Sequence, residues 1–235
     1  MLAGVDLDVA PGETVVLLGR SGTGKSVLLK TVIGLVRADE GTLSLFGQDV
    51  TRAGEAAWNR ARRDVAMVFQ GAALFDSMTV GDNVALGLRH QRRQGEAGIA
   101  ATVERCLALV GLAQTAHLKP ASLSGGMRKR VGIARAIALE PRLLLYDEPT
   151  SGLDPVTSDV INRLIRRVQK ELGAAAVVVT HDMASARFVG DRIALLHQGR
   201  IVFDGTPADV DRATDPLVRQ FVEGRSDESL VGGGP

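Results

Sequence analysis

Residues 19–26 read GRSGTGKS, set between the apolar run TVVLL at 14–18 and an amphipathic stretch at 27–34 that ends near Gly34. The run reads as a buried strand and the stretch as a helix, so the glycine-rich segment is a strand-to-helix turn. Its spacing is that of a phosphate loop, G-x-x-x-x-G-K-[ST]. Gly22 and Gly24 let backbone N–H groups converge on phosphate oxygens, helped by the positive end of the helix that follows. Lys25 supplies a point charge between β- and γ-phosphates, and the Ser26 hydroxyl suits Mg²⁺. Gly19, Arg20, Ser21, Gly22, Thr23, Gly24, Lys25 and Ser26 are therefore the candidate nucleotide contacts. A glycine turn with an incidental lysine would need neither flank, and both are present. The nucleotide is a purine; the N-K-x-D segment that reads guanine does not occur.

Working outward, other strand ends carry chemistry. LLLYDE at 143–148 places Asp147 and Glu148 at the carboxyl end of a buried strand, where ligands bind in open α/β sheets. Asp147 is suited to hold Mg²⁺ through its water shell, and Glu148 to act as general base toward an attacking water. A DE pair alone could be a polar strand end; the following PTSGLD at 149–154 argues against that. His181 ends the apolar run 174–180 and should reach the same edge, although a lone histidine there is more often structural. Gln70 follows DVAMVF at 64–69, where its amide can meet Mg²⁺ or the water.

LSGGM at 123–127 opens a helix expected to run to about residue 139. Ser124, Gly125 and Gly126 expose a helix N-terminus with no bulky side chain, a second anion site. One nucleotide does not need two such sites on one chain. The simple resolution is that this one takes the γ-phosphate held by another subunit.

The remaining sequence sets the architecture. The 235 residues suffice for one large domain that needs no disulfide, and 45% hydrophobic against 23% charged excludes disorder as the main state. Alternating strand and helix patterns predict an α/β fold: a P-loop NTPase core with a mainly parallel sheet, an antiparallel β subdomain and an inserted helical subdomain. Residues 42–46 read as one strand of an antiparallel pair, and 79–91 and 98–112 as helices of the insertion. Asp154-Pro155 caps and opens a helix that Gly173 stops. Two strands then flank Gln198-Gly199, and Thr206-Pro207 starts a further helix. The expected division is one domain, 1–225, with core 1–70 and 124–225, helical subdomain 71–123, and a flexible tail 226–235. The single cysteine, Cys106, falls on an apolar helix face and fits a reducing compartment. Net charge is +1, and the basic clusters 60–63, 89–93 and 128–130 read as solvated helix faces, so no nucleic-acid partner is expected. No run approaches the ~18 apolar residues of a membrane span.

At these residues the chain resembles the nucleotide-binding subunits of ABC transporters, over nearly its whole length. GRSGTGKS is similar to Walker A, Gln70 to the Q-loop glutamine and LSGGM to the signature. LLLYDE is similar to Walker B with Glu148 as its catalytic acid, SGLD to the D-loop and His181 to the switch histidine. The resemblance implies an ATPase that works as a head-to-tail homodimer with two ATP molecules and Mg²⁺ between Walker A and the opposite signature. Lys25, Ser26, Gln70, Asp147, Glu148 and His181 then serve one ATP; Ser124 and Gly126, with Asp154 nearby, serve the partner's. It also implies transmembrane permease subunits and a cytoplasmic place on the inner membrane face, with 75–80 as part of the permease contact. The segment 73–89, Met127, Tyr146 and VRQFVEG at 218–224 resemble ATPases of Mla/Mce-type lipid transporters, with Mce-type lipid-binding proteins as further partners. The alternatives are an importer of amino acids, peptides or betaine-like solutes, or a soluble non-transport ABC ATPase. Two departures stand out. No aromatic precedes Phe46, where the family stacks adenine on an early ring, so the natural reading frame is expected to begin upstream or the chain to be truncated. Ser122 stands where many relatives carry Glu.

Overall fold

The computed structural model describes residues 2–91 and 94–224. In chain order it runs β1 (Thr14–Leu18), α1 (Lys25–Val32), β2 (Ser44–Leu45), β3 (Gln48–Asp49), α2 (Glu55–Ala61), β4 (Val65–Val68), α3 (Val80–Gln91), α4 (Glu96–Leu109) and α5 (Gly125–Ile137). It continues through β5 (Leu143–Asp147), α6 (Pro155–Leu172), β6 (Ala175–Thr180), α7 (Met183–Val189), β7 (Arg192–His197), β8 (Arg200–Gly205), α8 (Pro207–Arg212) and α9 (Pro216–Val222).

The main sheet has the order β4-β5-β6-β1-β7-β8, parallel except for β8, which pairs antiparallel with β7. The central strands β5, β6 and β1 are buried at every position, and apolar except at Thr14, Asp147 and Thr180, because both faces are covered. Val16, Leu18, Leu144, Tyr146, Ala176 and Val178 face one core, with α3 to α7. Val15, Leu17, Leu143, Leu145, Val177 and Val179 face the other, with Leu29 of α1 and Trp58 of α2. Tyr146 is fully buried, so its place before Asp147 is core packing. Cys106 is also buried, and burial pushes its thiol up to about 11, as expected of a packing residue. No helix among the described residues is long and apolar enough to cross a membrane.

Register is what positions the site. Leu18 lies opposite Thr180, Asp147 opposite Val179, and Val68 opposite Tyr146. The carboxyl ends of β4, β5, β6 and β1 are thereby level, and the residues that follow each strand emerge on one edge.

Several boundaries differ from the sequence reading, each for a local reason. Helix α1 begins at Lys25, not residue 27, because Gly24 turns the chain with φ 105°. It ends before Gly34, whose φ is 68° and where an added Cβ would sit 2.7 Å from the Trp58 ring. The antiparallel segment 42–46 shrinks to Ser44–Leu45 paired with Gln48–Asp49, since Phe46 and Gly47 both take positive φ and make a tight hairpin turn. Helix α4 spans Glu96–Leu109, and Gly111 at φ 69° ends the continuation toward 112. Helices α2 and α7 have no counterpart in the sequence reading; both are short, and Asp182 caps α7 through the Ala184 and Ser185 N–H groups.

The basic clusters are not simply solvated faces. Arg62 donates to the Ile33 and Gly34 carbonyls, Arg128 to Leu123 O, and Arg130 to Val110 and Gly111 O. Lys129 is 9% exposed. These side chains bind loops down. Residues 92–93 and the expected flexible tail 226–235 lie outside the described residues.

Candidate functional site

The level strand ends build one cleft of about 260 Å³, lined by Ser21, Gly22, Gly24, Lys25, Ser26, Val27, Gln70, Glu148 and His181. The loop after β1 wraps the Lys25 ammonium, which donates to the Gly19 and Arg20 carbonyls at 2.6 and 3.0 Å. Thr23 hydrogen-bonds back to Arg20 O through its hydroxyl, closing the same turn. Burial holds the Lys25 ammonium below its ordinary value, while the Glu148 and Asp147 carboxylates work against that. With Gly22 at φ 82° and Gly24 at φ 105°, this is a concave run of backbone that suits phosphate oxygens.

At the end of β5 the two acids diverge. Asp147, buried, accepts a 2.8 Å hydrogen bond from Ser26 Oγ. A hydroxyl and a carboxylate oxygen so placed are the hard donors that Mg²⁺ takes, and the pair fits that ion. Glu148 leaves the strand at φ 47°, a left-handed conformation uncommon for a residue with a Cβ, and this turns its carboxylate into the cleft. There it lies 3.8 Å from Lys25 Nζ and 2.9 Å from His181 Nδ1, with 13% of its side chain exposed. Gln70 reaches the same edge but donates its amide to Ser151 Oγ at 3.1 Å.

Ser124, Gly125, Gly126 and Asp154 do not line this cleft. Ser124 caps α5, its hydroxyl accepting from Met127 N. Asp154 caps α6, and hydrogen bonds from Thr157 hold its carboxyl below the usual carboxylate range. The two groups of candidate residues that the sequence analysis assigned to two different ATP molecules thus lie apart in the fold. It also explains Gly126 differently: an added Cβ would lie 2.5 Å from Thr157 Cγ2, so this glycine is required by packing between α5 and α6. Gly126→Ala should lower thermal stability by about 1–3 kcal/mol. The double variant with Thr157→Ser, which deletes the opposing methyl, should recover most of that in a melting experiment.

Lys129 is a site-adjacent residue that sequence reasoning assigned no role in the site. Lys129 Nζ donates to Ser151 O at 2.7 Å and to Glu148 O at 3.3 Å. A signal was present: Gly126, Lys129, Ile133 and Ile137 share the buried face of α5 at helical spacing.

Comparison with known proteins bears on the family and the fold. The sequence model of a family described as "ABC transporter" matches residues 2–151. The chain belongs to the ABC transporter family. It is 41% identical over 94% of its length to the probable ribonucleotide transport ATP-binding protein mkl of Mycobacterium leprae (strain TN), covering 64% of that protein. It is 46% identical over 89% of its length to the methionine import ATP-binding protein MetN 1 of Burkholderia pseudomallei (strain 1710b), covering 60% of that one. The ABC cassette therefore spans a little under two thirds of these curated relatives. Among solved structures it is similar to the dimeric post-hydrolysis state of the ATP-binding cassette MJ0796 bound to ADP and Pi, with TM-score 0.80 and 34% identity over 88% of this chain and 90% of that one. It is also similar to cbiO1 from Clostridium perfringens, part of the ABC transporter complex cbiONQ, with TM-score 0.84 and 28% identity over 94% and 88% of the two chains. The mostly parallel sheet with an antiparallel strand at its edge is the cassette fold.

Proposed function

We propose that this chain is the ATP-hydrolysing subunit of a membrane transporter, and that two copies close head to tail around two ATP molecules to drive a permease. One observation carries it: Lys25, Ser26, Asp147, Glu148 and His181 meet at a single sheet edge, while the Ser124 helix start stands apart from that cleft. A second anion-binding turn that does not face its own cleft is useful only to another copy. The dimeric cassette with bound ADP and Pi supports that arrangement.

In this reading Gly19 to Ser26 cradles the phosphates, with Arg20, Ser21 and Thr23 contributing backbone N–H groups. Lys25 exchanges its two loop carbonyls for phosphate oxygens. Ser26, Asp147 and Gln70 hold Mg²⁺, which when bound supplies neutralisation of phosphoryl charge. Glu148 takes the proton of the attacking water, and His181, on its carboxylate, keeps it oriented toward the cleft. Ser124, Gly125 and Gly126, with Asp154 nearby, complete the partner's site. Residues 71–123 act as the lobe that conveys closure to the permease, at the inner membrane face. Phe75, 51% exposed beside the Asn83 clasp on its backbone, supports 75–80 as the contact.

The transported molecule is a lipid on this reading, with Mce-type proteins as partners; the segments 73–89 and 218–224 and Met127 support it. Tyr146 no longer does, being core. The second reading is a small-solute importer, supported by the 46% identity to a methionine import protein. The test is to purify the chain with its permease in mild detergent and titrate ATPase activity with phospholipid and with methionine. Stimulation by phospholipid alone, with lipid recovered by mass spectrometry, supports the first; stimulation by methionine overturns it.

A further inference from the structure

The buried ammonium of Lys129 serves none of the steps above. It sits on α5 two residues past Met127, 9% exposed, with burial holding it below its ordinary value against the pull of Glu148. Lysine on a helix with access to solvent ordinarily extends its charge outward; burying it is unfavourable unless carbonyl or carboxylate oxygens receive its protons. Here the acceptors are specific. Ser151 O lies at 2.7 Å and Glu148 O at 3.3 Å, the two ends of the turn that follows Walker B. That turn is closed by Ser151 N donating to Glu148 O at 3.1 Å, and it begins with Glu148 at φ 47°. The right-handed preference of any residue with a Cβ works against that conformation. The same Ser151 receives the Gln70 amide on its hydroxyl. One cation thus fixes the segment that aims the carboxylate and holds the glutamine.

We propose that Lys129 is a positioning residue: it ties α5, whose first turn is the anion site offered to the partner, to the backbone of 148–151, and so keeps Glu148 and Gln70 aimed at the chain's own nucleotide. The inference rests on the ATPase reading above and adds a physical link between the two half-sites of one subunit. Lys129 is not among the residues that line the cleft. Its loss should leave phosphate-loop binding intact and act on turnover.

The experiment compares Lys129→Met, of similar length without a donor, and Lys129→Gln, which keeps an N–H donor on a shorter stem, in the full chain. With melting temperature checked, binding of a fluorescent ATP analogue should stay within about twofold of the parent. The kcat should fall ~10- to 100-fold for Met, the scale of an ångström-level misplacement, and less for Gln. Should Lys129→Met not fold, Lys129→Gln is decisive: reduced kcat at unchanged affinity supports the link, and parental kcat overturns it. Parental kcat in a folded Lys129→Met, or losses of kcat and affinity in step, also overturn it. Glu148→Gln is run alongside. If that variant keeps its turnover, the site reading itself has failed; if it is inactive while Lys129→Met is normal, only the link has failed.

Discussion

Glu148→Gln is expected to slow ATP hydrolysis by ~10²–10⁴ while ATP stays bound, the range that a positioned general base contributes. The substitution preserves shape and replaces one carboxylate oxygen by an amide, removing the base together with the charge that faces Lys25. The site is built to make that oxygen matter. The carboxylate is turned inward by a strained backbone, 13% exposed, between Lys25 and His181. Asp147, one residue earlier, is already engaged by Ser26 and cannot take the role over. Phosphate release measured under saturating ATP, beside equilibrium binding of ATP, separates the two effects. Near-parental turnover would remove Glu148 from the chemistry.

Lys25→Ala should weaken nucleotide binding on the order of 10²-fold or more, since each hydrogen bond to a charged group contributes about 1.5–3 kcal/mol. The ammonium also organises the loop by bridging Gly19 O and Arg20 O. The variant therefore loses both the phosphate contact and part of the loop's preorganisation. Calorimetric titration with ATP reads the first, and the melting temperature without nucleotide reads the second. Undiminished affinity would contradict the assignment of this loop.

The two predictions draw on residues that were legible in the sequence, and the reason is physical. Phosphate and metal chemistry sits at strand ends, where residue type, apolar run and following glycine all lie within a few positions. GRSGTGKS, LLLYDE, Gln70 and His181 are local statements of that kind, and parallel register then brings them to one edge. What stayed hidden depends on contacts between distant segments. Gly126 looks like an open helix start until Thr157, 31 positions away, is seen against it. Lys129 looks like one cation in a basic run until α5 turns that face toward β5. Helix α2 is fixed by burying Trp58 over Gly34 and leaves no periodic pattern long enough to read; the hairpin at 44–49 showed one strand in its alternation, but not the positive-φ turn at Phe46 and Gly47 that shortens it. The ends of α1 and α4 drifted by two or three residues, whereas the stop of α6 at Gly173 was read correctly.

The account stands on the claim that each ATP is enclosed by two chains. Light scattering of Glu148→Gln with and without Mg²⁺ and ATP tests it most directly, alone and combined with Ser124→Arg, which blocks the second anion site. A shift from monomer to dimer on adding ATP, with one ATP per chain, lost in the Ser124→Arg double variant that still binds ATP, is the predicted result. A protein that saturates with ATP and remains monomeric, or dimerises equally well with Ser124→Arg, would contradict it.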